Sequence, residues 1–440
     1  MSPAEAVTAE YAAKRVTADQ AVSHIPSGSN VAMGMAAAEP PALLGALAAR
    51  LESRSLANLK LWYFHSMEHS ADTILRYDLL DRVRPHCMFL SKVERALLVR
   101  GDVQGGPPIE FVPTAFSESS RLLTKHVAIE TFITTVSPMD RHGWFTFGTN
   151  NDYGTSVARS AKRLVVEVNA NMPRVFGDSL LHISEVDALV ENDVPLIETS
   201  HATASAEDRT IATTIAAMID DGACLQMGIG SLPNAVCDLL ENHKDLGIHT
   251  ELMTPALARL IECGAVTNRR KATYPGRSVF TFAMGDRVLY EFLDNNPSMH
   301  SAPVQVVNDP RHISKNDNVV SVNGTLEVDL SGACNSEHVL GRQYSGSGGQ
   351  LDFVRGASAS RGGKSIIACR STAKDGAVSR IVPRLDGPVT TPRNDTHIVV
   401  TEYGAVDLRG KSLRQRADAL ISVAHPRFRG ALASQAVTQC

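Results

Sequence analysis

The chain has 440 residues, 43% of them hydrophobic and 20% charged, with a formal net charge of −4 and a pI near 6.4. That balance offers no basic field to nucleic acid or anionic lipid, so an anionic ligand has to be held by a local site. No apolar run approaches a membrane span, and the opening MSPAEAVTAEYAAKRVTADQAV is a charged amphipathic pattern with no apolar export core, which points to the cytoplasm. The seven cysteines, Cys87, Cys224, Cys237, Cys263, Cys334, Cys369 and Cys440, are odd in number and scattered. They read as buried thiols in a reducing compartment rather than a disulfide framework or a zinc site.

In chain order, short β-rich runs alternate with helical patterns. SNVAMGM (29–35) precedes PPALLGALAARLES (40–53), and KRLVVEV (162–168) leads into polar turns. ACLQMGIG (223–230) precedes PNAVCDLLENH (233–243), and VFTFAMG (279–285) precedes DRVLYEFLDN (286–295). This alternation predicts an α/β fold of βαβ units, with mainly parallel sheets flanked by helices. The nearly continuous apolar runs LVVEV and SIIAC suit strands covered on both faces. A chain of this length exceeds what one core organises. The polar stretch ETSHATASAEDRTI (198–211) lacks a strand pattern and leads into the Ala-rich TIATTIAAMIDDGA, so a boundary is expected near residue 205. The expected domains are 1–205 and 206–440, each an open α/β unit.

Three segments carry candidate chemistry. In LQMGIGSLPNAV (225–236), an apolar strand runs into Gly228-Ile229-Gly230, and Ser231 is placed to cap a helix with Pro233 in its first turn. Glycines there allow close backbone approach, and the helix start offers free N–H groups to negative charge. A plain strand–helix turn explains the same residues, and neither a P-loop nor a dinucleotide fingerprint is complete. In DLGIHTELM (245–253), Gly247-Ile248-His249 reads as a short buried strand with Glu251 at its carboxyl end, where ligands sit in open α/β sheets. A carboxylate there can attack an acyl carbon covalently, or be merely a capping or solvated glutamate.

In GRQYSGSGGQLDFVRGA (341–357), the run of Gly341, Gly346, Gly348 and Gly349 can expose several amides in a concave nest for an oxyanion or phosphate. A surface loop is the alternative, against which Tyr344, Leu351 and Phe353 argue. Lys364 closes Arg361-Gly362-Gly363-Lys364, which can meet a phosphate or form a basic turn. His249, His338 and His425 lack metal-ligand spacing, and Cys334 and Cys369 lack a paired base. Ser231 is not in a Gly-x-Ser-x-Gly elbow.

Taken together and in this order, the segments resemble the acetyl-CoA hydrolase/transferase family, the group that includes 4-hydroxybutyrate, butyryl, succinyl and itaconate CoA-transferases. The resemblance runs over nearly the whole chain. It includes AAAEPPALLGAL, TVSPMDRHGWFTFG and VVEVNANMPRVFGDSLLHISEVD, then GIGSLPNAV, DLGIHTE, VVNDP, GRQYSGSGGQLDFVRGA, SRIVPRL, VTTPRND, VVTEYGAVDLRGKSL and RADALISVAHPRFR. It implies two open, mainly parallel α/β domains with the active site in the cleft between them, the first serving the acid substrate and the second carrying the CoA site.

The resemblance also implies roles for particular residues. Glu251, in the family's G-I-H-[ST]-E block, is the covalent nucleophile. Gly349, in the Gly-Gly step before Asp-Phe, supplies a backbone oxyanion donor, and Asn308, in the Asn-x-Pro block, a side-chain donor. Gly228, Ile229 and Gly230 lie against the substrate and the CoA thioester, with Gly346, Gly348 and Lys364 as further CoA or substrate contacts. No metal or redox cofactor is implied. Coenzyme A enters as a substrate, and the partners are an acyl-CoA (succinyl-CoA or acetyl-CoA) and a small carboxylic acid, whose second carboxylate arginines would read. A symmetric homo-oligomer is expected.

Many members follow the nucleophile with Met-Ser-Asp-Gly, where this chain has Leu252-Met253-Thr254-Pro255. That departure, with GACNSEH and SGGQLDFVRGA, resembles itaconate CoA-transferases and points to itaconate or a related C4–C5 acid. The alternatives are a 4-hydroxybutyrate or butyrate transferase, or an acyl-CoA hydrolase using the same glutamate. A ligand-sensing module without catalysis is a further reading, against which the lack of a helix-turn-helix or basic recognition region stands.

Overall fold

The computed structural model describes residues 3–104, 108–199 and 203–436. The chain forms two units, Met1–Thr199 with Phe280–Val306, and Ser200–Val279 with Val307–Cys440. The first crossing thus falls close to residue 205, but a single cut there gives 280–306 to the wrong unit. That segment returns to the first unit through main-chain hydrogen bonds, Ser301 N to Phe176 O at 2.8 Å and Val304 N to Asp152 O at 2.9 Å. Residues 200–202 of the expected boundary stretch, and Cys440, lie outside the described residues.

The first unit is built on seven strands: β1 (Asn30–Met33), β2 (Leu59–Tyr63), β3 (Val83–Cys87), β4 (Glu110–Phe111), β5 (Thr131–Val136), β6 (Arg163–Val168) and β7 (Ala188–Glu191). Their order is β4-β3-β2-β1-β5-β6-β7, with every neighbour parallel. Helix α1 (Pro41–Glu52) starts with proline in its first turn and buries Leu43, Leu44, Leu47 and Leu51 at helical spacing. Each such leucine contributes roughly 1.5–3 kcal/mol of apolar burial.

The start of α1 is closed by Glu167 of β6. Its carboxylate accepts from the amides of Ala42 (2.9 Å) and Leu43 (3.1 Å) and from Asn192 Nδ2 (2.6 Å). Burial pushes this carboxyl up to about 7, and the three donors partly offset the effect. The folded state therefore holds the proton more tightly than the unfolded chain, whose ordinary value is 4.5. The stability this contributes is complete below the unfolded value and is lost as pH rises through about 7. Glu39, buried in the same unit and pushed up to about 8 by burial, acts in the same direction. Thermal melts are expected to show Tm falling between roughly pH 5 and pH 8, with a shallower slope in Glu167→Gln. A Tm that rises across that window contradicts this account.

The second unit holds β8 (Cys224–Met227), β9 (Gly247–Ile248), β10 (Val319–Gly324), β11 (Lys364–Ala368), β12 (Ile398–Thr401) and β13 (Gly404–Asp407), in the order β9-β8-β10-β11-β12-β13. All pair in parallel except β13, which is antiparallel to β12. Helix α2 (Ala206–Ala216) opens with a capping box made by Ser205 and Asp208. Helices α3 (Ser231–Asp238), α4 (Pro255–Glu262) and α5 (Gln350–Ala359) follow. Val354 of α5 joins Ile367, Val399 and Leu420 in the core. Parallel pairing gathers the carboxyl ends of β8 and β9 on one sheet edge, and α5 begins at that edge before running back to β11. This arrangement positions the site.

The six described cysteines are unpaired; five are buried, whereas Cys263 is exposed. Burial pushes Cys334 and Cys369 up to about 12, so neither presents a thiolate. No helix among the described residues is long and apolar enough to cross a membrane.

Candidate active site

Glu251 stands three residues beyond the end of β9. The segment is fixed by His249 N donating to Leu225 O (3.1 Å) and Thr250 N donating to Val279 O (2.9 Å). His249 is buried, and burial pushes its imidazole down to about 3, so it is neutral. Its Nε2 donates to Val307 O at 2.8 Å, which ties the Glu251 segment to the residue beside Asn308. Sequence spacing gave His249 no role; in the fold it joins the Glu251 segment to the end of the short helix Val304–Val307 that precedes Asn308.

Asn308 is fully buried, and its Nδ2 lies 2.6 Å from Glu251 Oε2. The same nitrogen lies 3.4 Å from Asp352 Oδ2. Gly349 caps α5 and packs against both side chains. A Cβ on Gly349 would sit 1.8 Å from Glu251 Oε2 and 2.1 Å from Asn308 Nδ2, so only glycine leaves both side chains in place. Its φ of −98° is ordinary, so the requirement is for space rather than for backbone freedom. Burial pushes the Glu251 carboxyl up to about 7 and the Asp352 charge adds to this, while Asn308 and the Gly349 amide pull it down.

The other expected site residues fall into two groups. Gly228, Ile229 and Gly230 stand at the same sheet edge, where β8 gives way to α3. Ile229 is 61% exposed, and Gly230 has φ 119°, a left-handed value that favours glycine. Ser231 was expected to cap α3, but the cap position belongs to Gly230. The Ser231 hydroxyl instead donates to Asp208 at 2.9 Å. Asp208 also takes both ends of the Arg370 guanidinium (2.8 and 2.7 Å), which holds its carboxyl down at about 2. The sequence reading missed this clamp under the glycine turn, and the capping-box spacing at Ser205 was its only trace. Gly346 and Gly348 lie in the buried part of the loop before α5, and Gly348 has φ 55° just ahead of Gly349.

Lys364 does not join this group. It opens β11, at the opposite edge of the parallel sheet from the carboxyl ends of β8 and β9. Its Nζ is occupied by Met218 O (2.6 Å) and Asp220 (3.1 Å). The basic turn is therefore the right reading of that motif.

The departure after Glu251 also has a structural form. Leu252 and Met253 are buried, Thr254 caps α4 by accepting from Leu257 N at 3.4 Å, and Pro255 occupies the helix start. Within the first unit, a cavity of about 720 Å³ is lined by residues including Asp140, Arg174, Arg287 and Tyr290. Its arginines are already paired, Arg174 with Asp140 and Arg287 with Glu291, each at 2.7 Å, so the cavity is not built to read an acid.

A carboxylate with raised proton affinity, a buried amide donor and a glycine amide on one of its oxygens form an arrangement suited to acyl transfer. Comparison with known proteins agrees. The acetyl-CoA hydrolase/transferase N-terminal domain matches residues 2–198 and the C-terminal domain of the same family matches residues 285–436. The chain is 42% identical to succinyl-CoA:cyclohexane-1-carboxylate CoA transferase of Geobacter metallireducens, covering 97% of this chain and 96% of the relative. It is 40% identical to 4-hydroxybutyrate coenzyme A transferase of Clostridium kluyveri, covering 97% of each. The crystal structure of RipA from Yersinia pestis superposes with a TM-score of 0.96 at 56% identity, covering 98% of this chain and 99% of RipA. On matches that span both halves of the sequence, the chain belongs to the acetyl-CoA hydrolase/transferase family and is an enzyme of the CoA-transferase type.

Proposed function

We propose that the protein transfers CoA from an acyl-CoA to a small carboxylic acid by a ping-pong route through a thioester on Glu251. The observation that carries this reading is the 2.6 Å contact from Asn308 Nδ2 to Glu251 Oε2, made where no side chain can grow on Gly349. With Oε2 held by Asn308, Oε1 is the oxygen left to attack. The carboxylate adds to the thioester carbonyl, the C–S bond breaks, and an anhydride and CoA thiolate form. The thiolate then adds to the glutamyl carbon, the first acid leaves as its carboxylate, and glutamyl-CoA remains. An acceptor carboxylate reverses both steps.

Charge develops on Oε2 whenever the glutamyl carbon is attacked, and that is the atom Asn308 already addresses. Removing one such donor typically costs about 3–4 kcal/mol of transition-state stabilisation. Because Glu251 must be ionised to attack, activity is expected to rise with pH through about 7.

For the acceptor we favour itaconate or a related C4–C5 acid, with succinyl-CoA or acetyl-CoA as donor. The support is the Leu252–Pro255 segment, which replaces an acidic residue and a glycine with buried apolar residues and a helix cap. The relatives' names point to 4-hydroxybutyrate and cyclohexane carboxylate as alternatives. A reducing cytoplasm suits the five buried thiols, and a homo-oligomer remains part of this reading.

Initial rates with succinyl-CoA are expected to give parallel double-reciprocal lines as itaconate, succinate, acetate and 4-hydroxybutyrate are varied in turn. The best acceptor by kcat/KM identifies the substrate class. CoA release at full rate without any acceptor acid would make the protein a hydrolase instead.

A further inference from the structure

We infer that Asp352 is a positioning residue for the transfer reaction, holding the Asn308 amide with its nitrogen turned toward Glu251 throughout the catalytic cycle. The inference rests on Glu251 being the residue that carries CoA. An asparagine amide has a donor end and an acceptor end, and only the donor end can stabilise an oxyanion. Asn308 Nδ2 faces two carboxylates, Glu251 at 2.6 Å and Asp352 at 3.4 Å, while its Oδ1 is buried without a hydrogen-bond partner. Turned over, Oδ1 would meet both carboxylates and, with Glu251 ionised as attack requires, find no proton. Two acceptors on one side therefore decide the orientation.

Those acceptors are not equivalent in the reaction. Once Glu251 is acylated or carries CoA it is a neutral carbonyl and a weaker acceptor, and the orientation then depends on Asp352. Asp352 is placed for this by rigid structure, since it stands in the first turn of α5, three residues after Gly349. The same helix start thus supplies the backbone donor and the anchor of the side-chain donor. Among charged neighbours, Asp352 acts on Glu251 directly. His249 on the Glu251 segment is neutral, and Lys271 and His312 act on His249. Asp309, beside Asn308, is paired with Arg311 at 2.9 Å. Asp352 thus also supplies the negative charge that helps Glu251 retain its proton.

The test uses the full chain, with succinyl-CoA as donor and acetate as acceptor across roughly pH 5–9. It compares Asp352→Ala and Asp352→Asn, with thermal melts of each. Both substitutions remove the charge, so both are expected to move the acid limb of kcat/KM to lower pH. Asp352→Ala also removes the acceptor and is expected to lose roughly 10-fold or more in plateau kcat, with KM little changed. Asp352→Asn keeps an oxygen that can accept from Nδ2 and is expected to recover most of that loss. If Asp352→Ala does not fold, the Asp352→Asn limb carries the test.

An acid limb unmoved in both variants, with any loss of rate following loss of Tm, would reduce Asp352 to a helix-start residue and overturn the inference. A mass shift on the Glu251 peptide of the parent enzyme, trapped with borohydride, separates the two failures. Where the parent shows the adduct and the variants behave as just described, only this inference falls. Where the parent shows none, the Glu251 reading falls and takes this inference with it.

Discussion

Glu251→Gln is expected to lose at least ~10⁴-fold in transfer rate, as removal of a covalent nucleophile does elsewhere, while melting close to the parent. The substitution is nearly isosteric, so packing around Gly349 survives. A carboxamide has no anionic oxygen to add to a thioester, and its NH₂ group cannot share the Oε2 position with a second donor. Glu251 sits at the carboxyl end of β9 with a proton affinity of about 7, so the buried charge is retained at a cost that a neutral glutamine avoids. A variant that melts no lower than the parent but is inactive is therefore the signature of a functional carboxylate. A variant with parental rates would remove the assignment.

Gly349→Ala comes next in size, with an expected loss of ~10²-fold or more in kcat, the usual consequence of displacing a reacting group by about an ångström. The added Cβ would fall 1.8 Å from Glu251 Oε2 and 2.1 Å from Asn308 Nδ2, both ends of side chains rather than main chain. The fold can absorb the methyl group by swinging those side chains apart, and the backbone at φ −98° accepts alanine. The protein is therefore expected to fold normally, with a Tm near that of the parent and the acid limb of its pH profile displaced. A large fall in Tm with normal kcat in the folded fraction would show that Gly349 serves packing alone.

Much of this arrangement was legible in the sequence, for identifiable reasons. Apolar runs ending in Gly228 and at His249 marked β8 and β9, and strand ends in parallel sheets are where polar residues collect. The glycine run marked Gly349. Asn308 was reached only through the family resemblance, because its neighbourhood has no periodicity of its own and its partners lie 57 and 44 residues away. Lys364 was misread because a basic glycine turn carries no information about which edge of the sheet it occupies. Ser231 was misread because Gly230, at φ 119°, takes the cap position and Asp208 takes the hydroxyl. The return of 280–306 to the first unit was hidden for a similar reason, since it depends on main-chain bonds to residues far away in sequence, such as Phe176.

The most direct measurement is intact and peptide mass spectrometry of the enzyme after brief exposure to succinyl-CoA without acceptor, followed by borohydride. A CoA mass addition on the peptide containing Glu251, replaced by reduction to the alcohol after borohydride and cleared by added acceptor acid, is the expected result. Acyl-CoA turnover to product with the Glu251 peptide unmodified at every time point would contradict the account.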